Sequence, residues 1–531
     1  MFSEGDDKDS KAERTMERSI ISIFITKIHF SQKELELLFV YLRDFMRTKL
    51  VIRMIGVSLL LEAAMMFLSA MVAAHGEKDP SFVPLLFSAV IVGIFGAFPR
   101  IFVRDNSSDN HRITIKEGYY IVVGSWVFAC VFGTIPYLMY GGEFTVINAL
   151  FESVSGFTTT GASVLSDIEA LPSGLLFWRM STAWMGGIGI VALFSMVIPA
   201  GSGNGAVLTG VEVSGIARDD ASTREKSLVK MMVTTYLVLT AVLVFVLKLC
   251  GMRWFDALTH AMSTAATCGF STKNLSIAYY NSPLIETVLA VFMVLASINF
   301  CLIYSLFTRD KQKNLFQSEV SRSFLCVVAL CVVVVALNLL GSGTYTSVAE
   351  SLRKAFFQVA AFISTTGFSS ADSNLWPAMS IVVLIGCSIV CGCSGSTSGG
   401  MKFDRMLVCF KSVRAKLKAL ANPNQVNVVK VDRRPISENR VSDSKTFMAI
   451  YFFIIAIGAL INTGFGMDIL SGFSASVACL GNVGPGFGQV GVMSNYSQLP
   501  WVLKLTDSFL MLLGRLEIFS LFYVLRIQPK R

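Results

Sequence analysis

Ten apolar runs, at residues 51–74, 83–103, 119–139, 174–199, 229–250, 284–307, 323–340, 377–408, 447–465 and 500–526, constrain this chain more than any other feature. Each reaches or approaches the roughly 20 residues that a helix needs to cross a bilayer core. Of 531 residues, 53% are hydrophobic and only 15% are charged, far more apolar than a water-soluble fold of this length requires. The expected class is an all-α polytopic membrane protein. Basic residues concentrate in "RDNSSDNHRITIKEG", "ARDDASTREKSLVK", "TRDKQKN", the segment 411–446 and the tail "RIQPKR". The alternate connections "YGGEF", "SDIEALPSG" and "NLSIAYYNSP" carry almost none, so the basic set and both termini are expected in the cytosol. The net charge of +9 then reflects cytosolic loops, and no nucleic acid is implied.

The N-terminal "MFSEGDDKDSKAERTMERS" is charged and mixed in sign, without a secretory signal, and is expected to stay cytosolic. Further along the first 45 residues, "SQKELELLFVYLRDF" reads as an interfacial amphipathic helix on membrane lipid. Most of the eleven cysteines sit inside apolar runs, where the thiol behaves as a small hydrophobe; no disulfide framework is expected. Cys387, Cys391 and Cys393 lack the neighbouring histidines of a metal site.

Four connections are too long and too apolar for simple loops: "TVINALFESVSGFTTTGAS", "WFDALTHAMSTAATCGFST", "ESLRKAFFQVAAFISTTGFSS" and "DILSGFSASVACLGNVGPGFG". Each holds an apolar stretch too short to cross, followed by a Thr- or Asn-bearing turn with a central glycine. The glycines, Gly161, Gly269, Gly367 and Gly484, lie 108, 98 and 117 residues apart, as expected of a diverged repeat. Non-helical backbone survives at membrane depth only where protein or a water-filled cavity receives its polar groups. Four such turns converging on one axis can offer carbonyls that replace the hydration shell of a monovalent cation. The short helices direct their negative dipole ends to the same place.

Taken together, "FESVSGFTTTGASV", "WRMSTAWMGGIGIV", "STAATCGFST", "ISTTGF", "GCSGSTSGGMK", "GNVGPGFG" and "LLGRLEIF" resemble the Trk/Ktr/HKT superfamily of potassium transporters, most closely the bacterial Trk pore-forming subunit, from about residue 50 onward. The resemblance implies two N-terminal spans plus four span–pore helix–span repeats around one ion pore. The corresponding division is 1–48, a cytosolic extension; 49–116, two extra spans; and repeats at 117–228, 229–322, 323–445 and 446–531. Carried over by position, the potassium-binding filter is Thr159, Thr160, Gly161 and Ala162; Thr267, Cys268, Gly269 and Phe270; Thr365, Thr366, Gly367 and Phe368; and Asn482, Val483, Gly484 and Pro485. Glycine at 161 goes with potassium preference, whereas Cys268 and Thr366 replace smaller residues and are expected to point away from the axis.

The run 391–405, "CGCSGSTSGGMKFDR", resembles the family's intramembrane gating loop, with Gly392, Ser394, Gly395, Ser396, Gly399, Gly400 and Lys402 as its residues. A helix-packing patch of small residues is the plainer alternative. Arg515, a charge inside an apolar run, is expected to repel cations below the filter or to hold the loop through its carbonyls. Glu152 is expected to brace the first pore helix, and no role follows for Glu62.

The basic segment Lys411–Lys445 contains "VNVVKVDRRPIS", which alternates like a hairpin; by resemblance it is the platform for a cytosolic nucleotide-binding regulatory ring. The nucleotide would sit on that partner only. The resemblance also implies a homodimer in the cytoplasmic (inner) membrane. The four histidines form no H-E-x-x-H, there is no P-loop, and no hydrolase set appears on facing helices, so an enzyme is not expected. The expected function is potassium uptake. A less selective potassium/sodium transporter and a sodium- or proton-coupled secondary transporter are the alternatives.

Overall fold

The computed structural model describes residues 48–76, 78–103, 115–189, 225–307, 315–422 and 427–516, with 518, 520 and 524. The interfacial helix expected before residue 48 lies outside these residues, as do the basic connections 104–114, 190–224 and 308–314. The chain begins with two long helices, α1 (Thr48–His75) and α2 (Phe82–Phe102), which pack along their length. They approach closely because glycine faces glycine: a Cβ on Gly56 would stand 2.7 Å from the Gly96 carbonyl, and one on Gly96 2.9 Å from that of Gly56.

Four units of one grammar follow. The first is α3 (Ile115–Phe132) with its continuation α4 (Ile135–Tyr140), then α5 (Val146–Phe157) and α6 (Ser173–Ile188). The second is α7 (Glu225–Leu249), α8 (Trp254–Ala265), α9 (Pro283–Ala296) and α10 (Phe300–Phe307). The third is α11 (Glu319–Gly341), α12 (Val348–Ile363), α13 (Ala378–Val390) and α14 (Phe403–Ala421). A hairpin of β1 (Lys430–Val431) and β2 (Arg434–Pro435) leads to the fourth unit, α15 (Glu438–Gly464), α16 (Ile469–Gly481) and α17 (Trp501–Arg515). The short helices α5, α8, α12 and α16 have 12, 12, 16 and 13 residues, too few to cross a bilayer. Their starts are set by extended residues before them; Thr145 and Asp468 also cap, accepting the amides of Asn148 and Ser471.

The units close into a ring. The second helix of each packs against the short helix of the next: α6 on α8, α9 on α12, α13 on α16, and α17 back on α5. Buried polar residues are common on the short helices, whose C-terminal halves are enclosed by protein.

Among the described residues, six helices are long and apolar enough to cross a membrane, and a seventh arises only if α9 and α10, bent by 108° at their junction, count as one. Among the described residues, the second span is interrupted in the second unit as well as in the third: α9 and α13 have only 14 and 13 residues, and each is followed by a further helix, α10 and α14. In the second unit Ser297–Asn299 form the break, where Asn299 Oδ1 caps the amide of Cys301 at 2.9 Å. Hydropathy continues through that break, so composition cannot register it.

The hairpin expected in 411–446 is present, with Lys430 opposite Pro435 and Val431 opposite Arg434. Asp432 and Arg433 both adopt positive φ, 52° and 65°, as a two-residue primed turn requires. It is fastened to the start of α11: Asp432 Oδ1 accepts the Glu319 amide at 2.6 Å, and Glu319 Oε2 accepts the Asp432 amide at 3.0 Å. Lys411 on α14 bonds Glu319 and the Lys430 carbonyl, so one cluster joins hairpin, α11 and α14.

Candidate functional site

The four short helices end in turns built to one plan. Thr160, Cys268, Thr366 and Val483 donate their amides five residues back, to Ser155, Ser263, Ala361 and Ala478, at 2.8 to 3.0 Å. The residues just before them, Thr159, Thr267, Thr365 and Asn482, lie at φ of 56°, 54°, 62° and 54°. The glycines that follow, Gly161, Gly269, Gly367 and Gly484, lie at 81°, 87°, 72° and 94°. A Cβ is strained at such angles, which is why glycine recurs.

The turns meet head to tail. A Cβ on Gly161 would overlap the carbonyl oxygen of Cys268, one on Gly269 that of Thr366, one on Gly367 that of Val483, and one on Gly484 that of Thr160. Thus four glycines and four carbonyls form a closed ring at van der Waals limits. Cys268 and Thr366, whose side chains were expected to avoid the axis, fit: Cys268 packs with Met180, Ala183 and Met262, and the Thr366 hydroxyl lies 2.8 Å or less from a partner, Ser364 Oγ, at 2.7 Å.

The ring is rich in buried carbonyls without donors. Among the described residues, no hydrogen-bond donor reaches the carbonyls of Thr159, Thr160, Gly161, Thr267, Cys268, Gly269, Thr365, Thr366, Gly367, Asn482 or Val483. Buried backbone carbonyls are ordinarily paired, so a concentration of unpaired ones marks a place where an external partner supplies the positive charge. Two expected members differ. The Ala162 carbonyl accepts the Ser155 hydroxyl at 2.6 Å, and the Gly484 carbonyl accepts the Tyr496 hydroxyl at 2.9 Å. Of the last residues in each set, Phe270 carries the Arg179 guanidinium 4.0 Å above its ring, Phe368 lies 5.9 Å from the His260 ring, and Pro485 is half-buried.

Side chains brace each turn from behind. Glu152, fully buried on α5, accepts the Ser163 hydroxyl and the Val164 amide beyond the first turn and pairs with Arg179 of α6 at 2.7 Å. The bracing role expected of Glu152 is therefore present. On α8, His260 Nε2 lies 2.9 Å from Ser271 Oγ; on α12, Gln358 donates to the Ala371 carbonyl at 2.8 Å; on α16, Ser474 accepts the Phe487 amide at 2.8 Å. Arg179 went unnoticed in the sequence although "FWRMS" puts a charge inside an apolar run, the same signal that singled out Arg515. It also reaches the Ser271 carbonyl at 3.4 Å, joining the first two units. Glu286 of α9 ties the second unit to the third through Lys354, at 2.7 Å, and Arg353, at 3.1 Å.

The loop 391–402 lies directly against one face of this ring. Gly399 donates its amide to Thr365 Oγ1 at 3.1 Å, and a Cβ on Gly399 would meet Asn482 Oδ1 at 2.5 Å. The same face carries two buried side-chain oxygens with no partner, Thr159 Oγ1 and Asn482 Oδ1. Thr397 Oγ1 bonds the Ala265 carbonyl at the end of α8. Cys393 donates to the Ser297 carbonyl and Phe300 to that of Gly395, so the loop fills the break between α9 and α10. Positive φ at Cys391, Gly395, Gly400 and Lys402 lets the strand reverse within that space.

The expected loop residues fall into place as follows. Gly392 accepts the Phe403 amide; the Ser394 amide donates to Asp404 at 2.6 Å; Ser396 bonds the Cys393 carbonyl; and Lys402 Nζ donates to the Ser398 carbonyl. Arg515 supplies the link across the ring: its Nη1 donates to the Thr397 carbonyl at 2.6 Å and its Nη2 to the carbonyls of Gly186 and Gly187 at 2.6 and 3.0 Å. Its contact with the loop is thus through a backbone carbonyl, that of Thr397. Glu517 lies outside the described residues.

A family model described as "TrkH: Cation transport protein" matches residues 89–530. The chain is 33% identical over 482 residues to the Trk system potassium uptake protein TrkH of Salmonella typhimurium, covering 90% of this chain and 98% of that one. It is 32% identical over 411 residues to TrkG of Escherichia coli, covering 77% of this chain and 84% of that one. The crystal structure of the potassium transporter TrkH from Vibrio parahaemolyticus superposes with a TM-score of 0.80 at 30% identity, over 91% of this chain and 99% of that one. With the membrane helices, the ring of four turns and these likenesses together, the chain belongs to the TrkH family of cation transport proteins, which are not enzymes.

Proposed function

We propose that this protein carries potassium into the cell through the ring of four turns, which acts as its selectivity filter. The observation that carries the reading is the set of buried, donor-free carbonyls on Thr160, Cys268, Thr366 and Val483, packed glycine against carbonyl around one closed ring. Oriented carbonyl dipoles in that arrangement replace the hydration shell of a monovalent cation, and the C-terminal ends of α5, α8, α12 and α16 add negative potential. The relatives' names as potassium uptake proteins support the choice of ion.

In this reading the loop 391–402 is the gate. It blocks the face of the filter where Thr159, Thr365 and Asn482 stand, and Arg515 holds it closed through Thr397. The hairpin at residues 430–435 is the docking point for a cytosolic nucleotide-binding ring; its Glu319–Lys411 cluster would pass a shift to α14 and from there to the loop. Both termini face the cytosol, and two copies form a dimer. Radioactive rubidium uptake into proteoliposomes tests the core of this: potassium should compete strongly and sodium weakly. Uptake that ignores potassium, or that competes equally with both ions, would exclude a potassium filter. Dependence on an imposed sodium or proton gradient would favour the coupled alternative.

A further inference from the structure

The four turns are not equivalent at the glycine level. The carbonyls of Gly161, Gly269 and Gly367 accept nothing, while that of Gly484 accepts the hydroxyl of Tyr496 at 2.9 Å. Burial agrees with this difference: the first three glycines are half-buried and Gly484 is buried. Tyr496 lies 12 residues past Gly484, before the start of α17. It is 2% exposed, its amide donates to the Ser163 carbonyl at 2.8 Å, and its ring lies 5.3 Å from that of Phe151 on α5. It is therefore wedged between the fourth turn and the first short helix, with Cys479 Sγ 3.9 Å from its hydroxyl.

We propose that Tyr496 is a specificity-determining residue, whose hydroxyl withdraws the Gly484 carbonyl from the ion axis and leaves three glycine carbonyls at that layer. The proposal rests on the filter reading above. A carbonyl already accepting a hydrogen bond presents less negative charge to a cation, and one aimed at Tyr496 is aimed out of the ring. The next residue is Pro485, so the peptide between them carries no amide hydrogen. If the carbonyl were released, it could swing toward the axis without turning a donor into the pore. Fewer carbonyls at a layer reduce the crowding of ligands that favours the larger potassium ion over sodium.

Tyr496→Phe removes only the hydroxyl and keeps the ring packed on Phe151. Reversal potentials are measured in potassium and sodium gradients for the full chain, Tyr496→Phe and Gly161→Ser, each reconstituted at equal density. Reversal potential is independent of how much protein is active, so a merely structural loss would not move it. The expected result is a severalfold rise in the potassium-to-sodium permeability ratio for Tyr496→Phe, against a fall for Gly161→Ser. If Gly161→Ser lowers the ratio while Tyr496→Phe leaves it unchanged or lowers it, the role of Tyr496 is overturned and the filter stands. If neither variant moves the ratio, the filter reading fails and takes this proposal with it.

Discussion

Replacing Arg515 with alanine perturbs the closed state in a way whose size can be worked out from three bonds. Two of them, from Nη2 to the carbonyls of Gly186 and Gly187, fix the guanidinium to the first unit and need not change when the loop moves. The third, from Nη1 to the Thr397 carbonyl at 2.6 Å, is the one that binds the loop. A hydrogen bond involving a charged group contributes about 1.5 to 3 kcal/mol, so its loss shifts the open-to-closed ratio by roughly 10- to 150-fold. Removing a positive charge beneath a cation pathway acts in the same direction. The assay is basal rubidium uptake by proteoliposomes without a regulator, normalised to monodisperse protein. Uptake should rise by at least tenfold in Arg515→Ala. Arg515→Lys should fall between, because one ammonium cannot span both units as the planar fork does. A fall in uptake, or no change, in well-folded Arg515→Ala would mean that the arginine supports the conducting state rather than the closed one.

Glu152→Gln leaves Arg179 buried without its anionic partner, a loss of about 3 to 5 kcal/mol; a large drop in melting temperature in detergent is expected, and a milder one when Arg179→Met is added. Asp79, between α1 and α2, gives a pH-dependent stability. Burial alone would raise its pKa, but the Ser81 hydroxyl and amide, the Gly174 amide and the Ser173 hydroxyl hold the carboxyl below the usual carboxylate range. A lowered folded pKa stabilises above the unfolded value, about 3.9, and that contribution vanishes as pH falls through the lower folded value. The melting-temperature gap between the native chain and Asp79→Asn should therefore be constant near neutrality and close below about pH 4; a gap that widens in acid would reverse the sign. Charge reversal of Arg433 and Arg434 to glutamate should abolish nucleotide-dependent activation by a co-reconstituted regulator while basal uptake persists; activation that survives the reversal places docking elsewhere.

The glycines at 161, 269, 367 and 484 show why so much of the site was legible. A turn that needs positive φ at fixed positions selects glycine, and four glycines at near-constant spacing after short apolar helices leave a periodic trace in the chain. Arg515 and the Gly- and Ser-rich loop were visible for a related reason, since charge and irregular backbone are costly in lipid and stand out against it. The break between α9 and α10 left no such trace. "LASINFCLI" remains apolar through a bend of 108°, because the freed backbone groups are met by the loop, nearly a hundred residues away. Pairings across units, such as Arg179 with Ser271, Glu286 with Lys354 and Tyr496 with Ser163, depend on ring closure. No local pattern encodes which helix of one unit will lie against the turn of another.

Anomalous scattering from crystals grown in rubidium or thallium tests the filter itself most directly, because it locates the ion without reference to flux or gating. A peak should lie on the axis of the ring, within coordination distance of the carbonyls of Thr160, Cys268, Thr366 and Val483, and should fade when sodium replaces the heavy ion. An empty ring, with ordered cation density elsewhere along the chain, would contradict the assignment of these four turns as the potassium filter.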